Sequence, residues 1–261
     1  MDRHYLDSEM PPDKNINAPN IGNKGKFAVI IPVYNHERGI DDVVKKSLEL
    51  NLPVFVVDDG STDSSREKIR NCTGIYALRH AENRGKGAAI ITGFSAAEKI
   101  ADWAITIDAD GQHNPQDALQ MMAAIPKDER PLVVGMRQGM VGKKVPWTSR
   151  FGRKFSNFWI VLSGGPRMAD SQSGFRIYPL PESLKLNATA RRFQFEVEIL
   201  VKAGWEKLPV IEVPVSVNYA PGKERISHFR PFIDFLRNTC TFSRLITQRI
   251  LIHPFIRKPL K

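Results

Sequence analysis

Short apolar runs alternate along the first half of the chain with segments whose apolar residues recur every three or four positions. Phe27 to Val33 is a β-rich run of the first kind, and Pro32 near its end predicts that the ladder stops there. Between Gly39 and Leu50, Ile40, Val43, Val44 and Leu48 keep helical spacing. Leu52 to Val57 predicts a second strand, Gly74 to Leu78 a weaker third, and Trp103 to Ile107 a fourth. A helix carrying Ile90, Phe94 and Ala97 on one face precedes that fourth strand, and a helix near Asp117–Ile125 with a strand at Leu132–Met136 follows it. Ser61 or Thr62 is placed to cap the helix after the second strand, with Asp63 in its first turn. Strand and helix alternate with short connections, which predicts a largely parallel sheet covered on both faces.

The second half is less regular. Ser149 to Leu162 reads as a helix with Phe151, Phe155, Phe158 and Trp159 on its apolar face. Residues 193–203 read as another, closed by Gly204, and Leu208 to Tyr219 as two short strands parted by Pro214. Pro231 to Lys261 mixes apolar residues such as Phe235, Phe242, Leu245 and Ile250 with Arg237, Arg244, Arg249 and Arg257. A basic amphipathic segment of this kind lies on an anionic membrane surface, on its own domain or on a second subunit, which leaves a homodimer open. Met1 to Lys26 is polar, without the apolar stretch of a signal peptide, and reads as a loosely held extension. The chain thus divides into an extension (1–26), a main domain (27–230) and a basic C-terminal segment (231–261).

The 261 residues suffice for one large α/β domain or two small ones, and the 42% apolar fraction is that of an ordinary globular protein. A formal charge of +10 and a pI near 9.7 favour an anionic partner: nucleotide diphosphate, anionic lipid or nucleic acid. Cys72 and Cys240 stand far apart in sequence and read as free buried thiols in a reducing cytosol. No apolar run approaches the roughly 18–20 residues that span a bilayer.

Chemistry concentrates where the apolar runs end. Ala104 to Ile107 stops in Asp108-Ala109-Asp110-Gly111-Gln112-His113. Two carboxylates parted by one small residue, at the carboxyl end of a buried strand, suit Mg2+ or Mn2+ held together with a substrate diphosphate. Gln112 adds a neutral oxygen and His113 a nitrogen. An isolated Asp-x-Asp is usually a surface turn; the company it keeps raises its meaning. Residues 32–37, 58–63 (Asp-Asp-Gly-Ser-Thr-Asp) and 83–87 (Asn-Arg-Gly-Lys-Gly) end other predicted strands on the same side, so acidic and basic loops converge on one crevice. From Arg137 to Arg176 there are eight Lys or Arg and one acidic residue, Asp170, which favours an anion site there. His113 and His228, each alone, read as structural histidines as readily as ligands. Of Glu196 and Glu198, one reads as facing the site and the other as a surface charge.

Together, Ile-Pro-Val-Tyr-Asn-His-Glu, Val-Val-Asp-Asp-Gly-Ser-Thr-Asp, Asn-Arg-Gly-Lys-Gly, Asp-Ala-Asp-Gly-Gln-His and Asp-Ser-Gln-Ser-Gly-Phe-Arg at 170–176 resemble the family 2 glycosyltransferases, most closely the polyprenyl-phosphate sugar synthases of the dolichyl-phosphate-mannose type. The resemblance runs from about Phe27 to Tyr219. It implies a Rossmann-like GT-A α/β fold and a metal-dependent, inverting transfer of a sugar from a GDP- or UDP-sugar to a lipid phosphate, or else to a hydroxyl acceptor. By position it implies that Pro32, Tyr34 and Glu37 line the nucleoside pocket and that Asp59, with Asp58 beside it, accepts from the base. Arg84 and Lys86 would border the donor. Asp108, Asp110 and Gln112 would hold Mg2+ or Mn2+, and Arg137 and Arg176 would meet phosphates. Asp170 is the candidate base if the acceptor is a hydroxyl.

Many relatives end in transmembrane helices, where this chain has the basic tail, and Lys223 to Arg230 stands where the family often has an Arg-Ser-Lys region; the expectation is a cytoplasmic protein, either free or peripheral at the inner face of the cell membrane. Two rival readings are weaker. A sugar-1-phosphate nucleotidyltransferase wants a Gly-rich basic loop after the first strand, which residues 32–40 lack. A nucleic-acid binder would explain the charge but not carboxylates at strand ends, and no nucleic-acid motif is present.

Overall fold

The computed structural model describes residues 24–138, 147–217 and 231–251. Seven strands and eight helices follow in chain order: β1 (Phe27–Val33), α1 (Ile40–Leu48), β2 (Val54–Asp58), α2 (Ser65–Asn71), β3 (Tyr76–Arg79), α3 (Lys86–Ala97), β4 (Trp103–Thr106), α4 (Asp117–Ala123), β5 (Leu132–Arg137), α5 (Trp147–Leu162), β6 (Arg176–Pro179), α6 (Glu182–Lys185), α7 (Phe195–Trp205), β7 (Val210–Val215) and α8 (Pro231–Leu251). The expected alternation is present. The extension up to residue 23, Tyr219, the 223–230 segment with His228, and the last ten residues lie outside the described residues.

One seven-stranded sheet runs in the order β3-β2-β1-β4-β6-β5-β7, and only β6 is antiparallel to its neighbours. β1 is buried along all seven of its residues, as befits a central strand covered on both faces. α1, α2 and α4 close one face over a core that includes Val29, Ile31, Val43, Val44, Ile69 and Met121. α3, α5, α7 and α8 close the other over Ile30, Ile90, Phe94, Ile160, Ile199 and Phe242. α1 shows why such helices form here: Ile40, Val43 and Val44 face the sheet, Asp41 and Asp42 lie in the first turn, and Lys45 and Lys46 in the last, each charge matched to the helix dipole.

Several boundaries differ from the sequence expectation, each for a local reason. Pro32 does not end β1: it pairs with Val57 of β2. Its missing N–H faces the β4 side, where pairing has already ended at Ile30 with Thr106, so the proline costs no ladder bond. β7 is one strand rather than two, because it forms the sheet edge and Pro214 turns its absent N–H outward. Gly204 does not close α7, which runs on to Trp205; a side chain there would strike the backbone at Gly164 and Gly165. α2 starts after Ser64, and Ser61 instead accepts from the backbone N–H of Asn35. Neither cysteine is buried in the core: Cys72 is half-buried and Cys240 exposed, both free.

At the near end of the extension, Lys24 donates to the carbonyls of Met122 and Ala123 while its own carbonyl accepts from the Trp103 indole. α8 lays Phe242 and Leu245 into the second core, and Phe242 packs on Phe155 and Trp159 of α5. Phe158, read as part of α5's apolar face, points away from that core and is 62% exposed.

Candidate active site

Strand order reverses between β1 and β4: from β1 the chain adds β2 and β3 on one side, then returns to place β4 on the other. Such a switch point opens a crevice at the carboxyl ends of the strands. Residues 34–37 leave β1 there, 59–63 leave β2, 80–85 leave β3 and 107–113 leave β4. Because β6 is antiparallel and pairs Arg176 with Thr106, the 170–175 loop enters at the same end. The carbonyl of Gly174 accepts from the Thr106 hydroxyl at 2.7 Å, which pins that loop beside Asp108.

Asp108 and Lys86 form the middle of the site. The Lys86 ammonium lies 2.6 Å from Asp108 Oδ1 and 2.5 Å from Glu196 Oε1. Burial alone would lower the lysine, but the two carboxylates overcome it and keep the ammonium charged far above its ordinary range. Burial would likewise raise Asp108, and Lys86 reverses that, so the carboxyl is held below its usual range. Gly174 packs against this pair: a Cβ there would meet Asp108 Oδ2 and Lys86 Nζ, which would have to shift. Glu196 is thus a site residue, fixed on Lys86 from the first turn of α7. Its partner in the sequence reading, Glu198, is no surface charge but fully buried.

Asp110 is exposed at the rim, and its Oδ1 accepts from the Gln112 backbone N–H at 3.0 Å, a side-chain turn that Gly111 completes at positive φ. Burial first, and then the charge of Asp108, push the Asp110 carboxyl up. Next to it His113 is buried against the Phe175 ring with Nδ1 unpartnered, and burial pushes its imidazole down, toward the neutral form. Among the described residues, no three His, Cys, Asp or Glu side chains converge into a cage for an ion. Two crowded carboxylates with a neutral amide oxygen and an open rim fit a hard divalent cation that completes its shell with phosphate and water oxygens, which is the habit of Mg2+ and its close analogue Mn2+. A cation there would relieve the repulsion that raises Asp110.

The loops that leave β1, β2 and β3 are tied to one another. Asp58 accepts from the Ser61 backbone at 2.8 Å and from Arg79 at 2.5 Å, so it fixes its own turn and strand end rather than capping α2. Asp59 is 2% exposed and accepts from the backbone N–H groups of Arg84 (2.9 Å) and Gly85 (2.7 Å) and pairs with His80 Nδ1 at 2.6 Å. His80 then reaches the Thr92 hydroxyl on α3. Asp59 therefore holds the 84–85 loop in place. Glu37 accepts from Ser64 N–H, and its own N–H donates to Asp63, joining the β1 and β2 loops. Tyr34 and Glu37 are half-buried at this end, Pro32 is buried within β1, and the Arg84 side chain is exposed at the margin.

On the other flank Asp170 is fully buried. Arg137 Nε and Nη2 meet its two oxygens at 2.7 and 2.9 Å, a two-pronged pair. Burial would raise this carboxyl; Arg137, with Arg153 behind it, holds it below the usual range instead. A carboxylate so held is a poor proton acceptor, which weighs against the role of base that a hydroxyl acceptor would ask of it. Its backbone N–H and that of Ala169 donate to Glu212 on β7. Arg176 is fully buried, and its guanidinium donates to the carbonyls of Ser171, Ser173 and Glu196, all at 2.7–2.8 Å, so it braces the 171–175 loop against α7, where a phosphate contact was expected of it.

Residues 28–179 match the family model described as glycosyl transferase family 2. The chain belongs to this family. It is a glycosyltransferase with a GT-A fold. Among curated relatives, it is 34% identical over 217 residues to a UDP-N-acetylglucosamine–dolichyl-phosphate N-acetylglucosaminyltransferase of Methanococcus voltae, covering 73% of this chain and 85% of that one. It is 29% identical over 228 residues to a dolichol-phosphate mannosyltransferase of Pyrococcus furiosus, covering 82% of this chain and 62% of that one. Among solved structures, glucosyl-3-phosphoglycerate synthase from Mycobacterium tuberculosis, in complex with Mn2+, uridine-diphosphate-glucose and phosphoglyceric acid, superposes with a TM-score of 0.67 at 17% identity, over 93% of this chain and 85% of that one. At that identity the likeness speaks for the fold. No helix among the described residues of this glycosyltransferase is long and apolar enough to cross a membrane.

Proposed function

We propose that this glycosyltransferase moves a sugar from a uridine-diphosphate sugar to the phosphate of a polyprenyl lipid, with Mg2+ or Mn2+ as cofactor and inversion at the anomeric carbon. The observation that carries the acceptor class is the state of Asp170: the carboxylate best placed to serve as a base is buried and clamped by Arg137. A phosphate acceptor is already anionic and needs no such base. The uridine donor is supported by the printed names of the Methanococcus relative and of the solved neighbours.

In this reading the ordered 84–85 loop and the β1–β2 loops receive the nucleoside, and Asp110, Asp108 and Gln112 hold the ion. The ion, when bound, would spread the charge that builds on the leaving diphosphate. Lys86 sits at the same place as a fixed positive charge, already stripped of water and aligned by Asp108 and Glu196. Arg137 and Arg153 supply the positive field for the acceptor phosphate.

The deciding experiment offers UDP-N-acetylglucosamine, UDP-glucose and GDP-mannose, each with and without Mn2+, and follows melting temperature and transfer to a short polyprenyl phosphate. A UDP-sugar is expected to raise the melting temperature by mass action, more so with Mn2+, and to be consumed only when the lipid phosphate is present. Stabilisation by GDP-mannose alone would overturn the uridine assignment, and no response to any sugar nucleotide would overturn the transferase reading.

A lipid acceptor calls for a surface that meets a bilayer. Phe158, Val161 and Leu162 at the end of α5 and Ile250 and Leu251 at the end of α8 are all exposed, and Arg249 donates to the Leu162 carbonyl, so the two helix ends adjoin. Asn157, Phe158, Val161, Leu162, Arg167 and Met168 line an open groove of about 370 Å³ beside them. Apolar tips with Arg167 and Arg249 beside them suit an anionic lipid surface. Co-sedimentation with phosphatidylglycerol vesicles, and little with phosphatidylcholine vesicles, is expected. Phe158→Ser with Ile250→Ser should weaken it several-fold, whereas undiminished binding by that variant would place the contact elsewhere.

A further inference from the structure

The backbone from Asn187 to Arg192 lies as a strap across the start of α3. Arg191 offers its carbonyl to Ala88 N–H at 3.0 Å. Side chains at Gly85 or Gly87 would strike the carbonyls of Arg191 and Ala190, and Gly85 stands at a φ of +100°, so only glycine lets strap and loop touch. The strap therefore seats the segment that presents Lys86 to Asp108.

What holds the strap is Glu198, two residues after the Glu196 that pairs with Lys86. Its side chain is 1% exposed. It accepts from Ala190 N–H at 2.7 Å and from the Thr189 hydroxyl at 3.2 Å, and pairs with Lys202 at 3.1 Å and with Arg244 of α8 at 2.9 Å. Arg244 also donates to the Thr189 hydroxyl at 2.7 Å, and Lys202 to the Asn187 carbonyl. A buried carboxylate is tolerated only when paired and hydrogen-bonded, and here its partners come from three separate pieces: the strap, α7 and α8.

We propose that Arg244 is a positioning residue for the donor site. Through Glu198 and Thr189 it holds the 187–192 strap on the Gly85–Lys86–Gly87 turn, and so couples the docking of α8 to the Lys86–Asp108 pair that faces the donor diphosphate. The inference rests on the transferase reading for its ligand, but not for its geometry.

The test compares Arg244→Ala with Arg249→Ala, which removes another bond between α8 and the body without touching the strap. Hydrogen exchange reads the strap directly: the amides of Ala88 and Ala190 should exchange about tenfold faster in Arg244→Ala and at the wild-type rate in Arg249→Ala. Titration with UDP and Mn2+ should show about tenfold weaker binding for Arg244→Ala, with a raised donor KM, a kcat within about twofold of wild type, and an unchanged acceptor KM. Arg244→Lys should recover part of the loss, since an ammonium meets Glu198 but lacks the fork that also reaches Thr189. Unchanged exchange at Ala88 and Ala190 in Arg244→Ala overturns the positioning role, as does equal acceleration in Arg249→Ala. Unchanged UDP binding alongside faster exchange overturns the coupling to the donor. A wild-type chain that binds no UDP with Mn2+ overturns the transferase reading and the donor coupling together, and exchange then decides the strap on its own.

Discussion

Asp110→Asn is expected to lower sugar transfer by on the order of a thousandfold while leaving the melting temperature within a degree or two of wild type. The two halves of that expectation come from different features of one side chain. The turn at Asp110 depends on an oxygen that accepts from Gln112 N–H, and an asparagine carbonyl makes the same bond in the same space. Asp110 sits at the rim, where desolvation of its carboxyl first and Asp108 second push it up, so removing the charge relieves both rather than leaving a buried partner stranded. What the variant loses is the hard anionic oxygen at the open rim. Asp108 does not replace it, because its Oδ1 is engaged by Lys86. Thermal shifts with UDP and with UDP plus Mn2+ check the assignment independently of rate. In the wild type the metal should enlarge the shift; in Asp110→Asn the two curves should coincide. Near-normal transfer by this variant would remove the metal from Asp110.

The sequence carried the strands near the sheet centre because they are short, mostly apolar and stopped by turn residues, and those same stops mark the crevice. Asp108 and Asp110 were visible for that reason: charge appears abruptly where a buried run ends. Arg176 shows the limit of the argument. A basic residue inside a motif looks like a phosphate contact, but whether it faces solvent depends on β6, a four-residue strand that starts with that arginine and ends in proline and so has no apolar pattern of its own. Its pairing is imposed by β4 and β5 on either side.

Glu196, Glu198 and Glu212 were hidden differently. Lys86, Arg244 and Asp170, which meet them, lie 110, 46 and 42 residues away, and no spacing rule spans such separations; only the Glu198–Lys202 pair keeps i,i+4 spacing. A weak signal was present in the helix: Phe-Gln-Phe-Glu-Val-Glu-Ile-Leu-Val is apolar all round, so two glutamates in its first turn had to be buried and paired. His80 carried less warning still, since it follows a half-buried strand and joins no motif. Asn-Arg-Gly-Lys-Gly was read as a basic loop at a strand end, and the structure gives its glycines a cause in the strap that presses on them.

Asp170→Asn is expected to be severe with every acceptor, and chiefly because of what it does to Arg137. A carboxylate buried completely and met by two guanidinium nitrogens is one half of a closed pair, and removing one partner of such a pair costs about 3–5 kcal/mol, a large share of a typical domain's stability. The pH dependence gives the sign. Arg137 holds the folded carboxyl below its ordinary value, so the pair stabilises the protein fully above the unfolded value near 3.9, and this contribution is lost as pH falls through the lower folded value. The stability advantage of wild type over Asp170→Asn should therefore be constant near neutrality and shrink only below about pH 4. Arg137→Met should cost a similar amount, and the double variant little more than either single one, because both remove the same interaction. Urea melts of the four proteins supply that cycle, and transfer rates to a polyprenyl phosphate and to a hydroxyl acceptor supply the functional half. If Asp170 were a base, the asparagine variant would lose only the hydroxyl reaction and would melt like wild type. If it is the clamp that aims Arg137 into the crevice, the variant loses stability and both reactions together, because a guanidinium released from its fork no longer points at the place an acceptor phosphate must occupy.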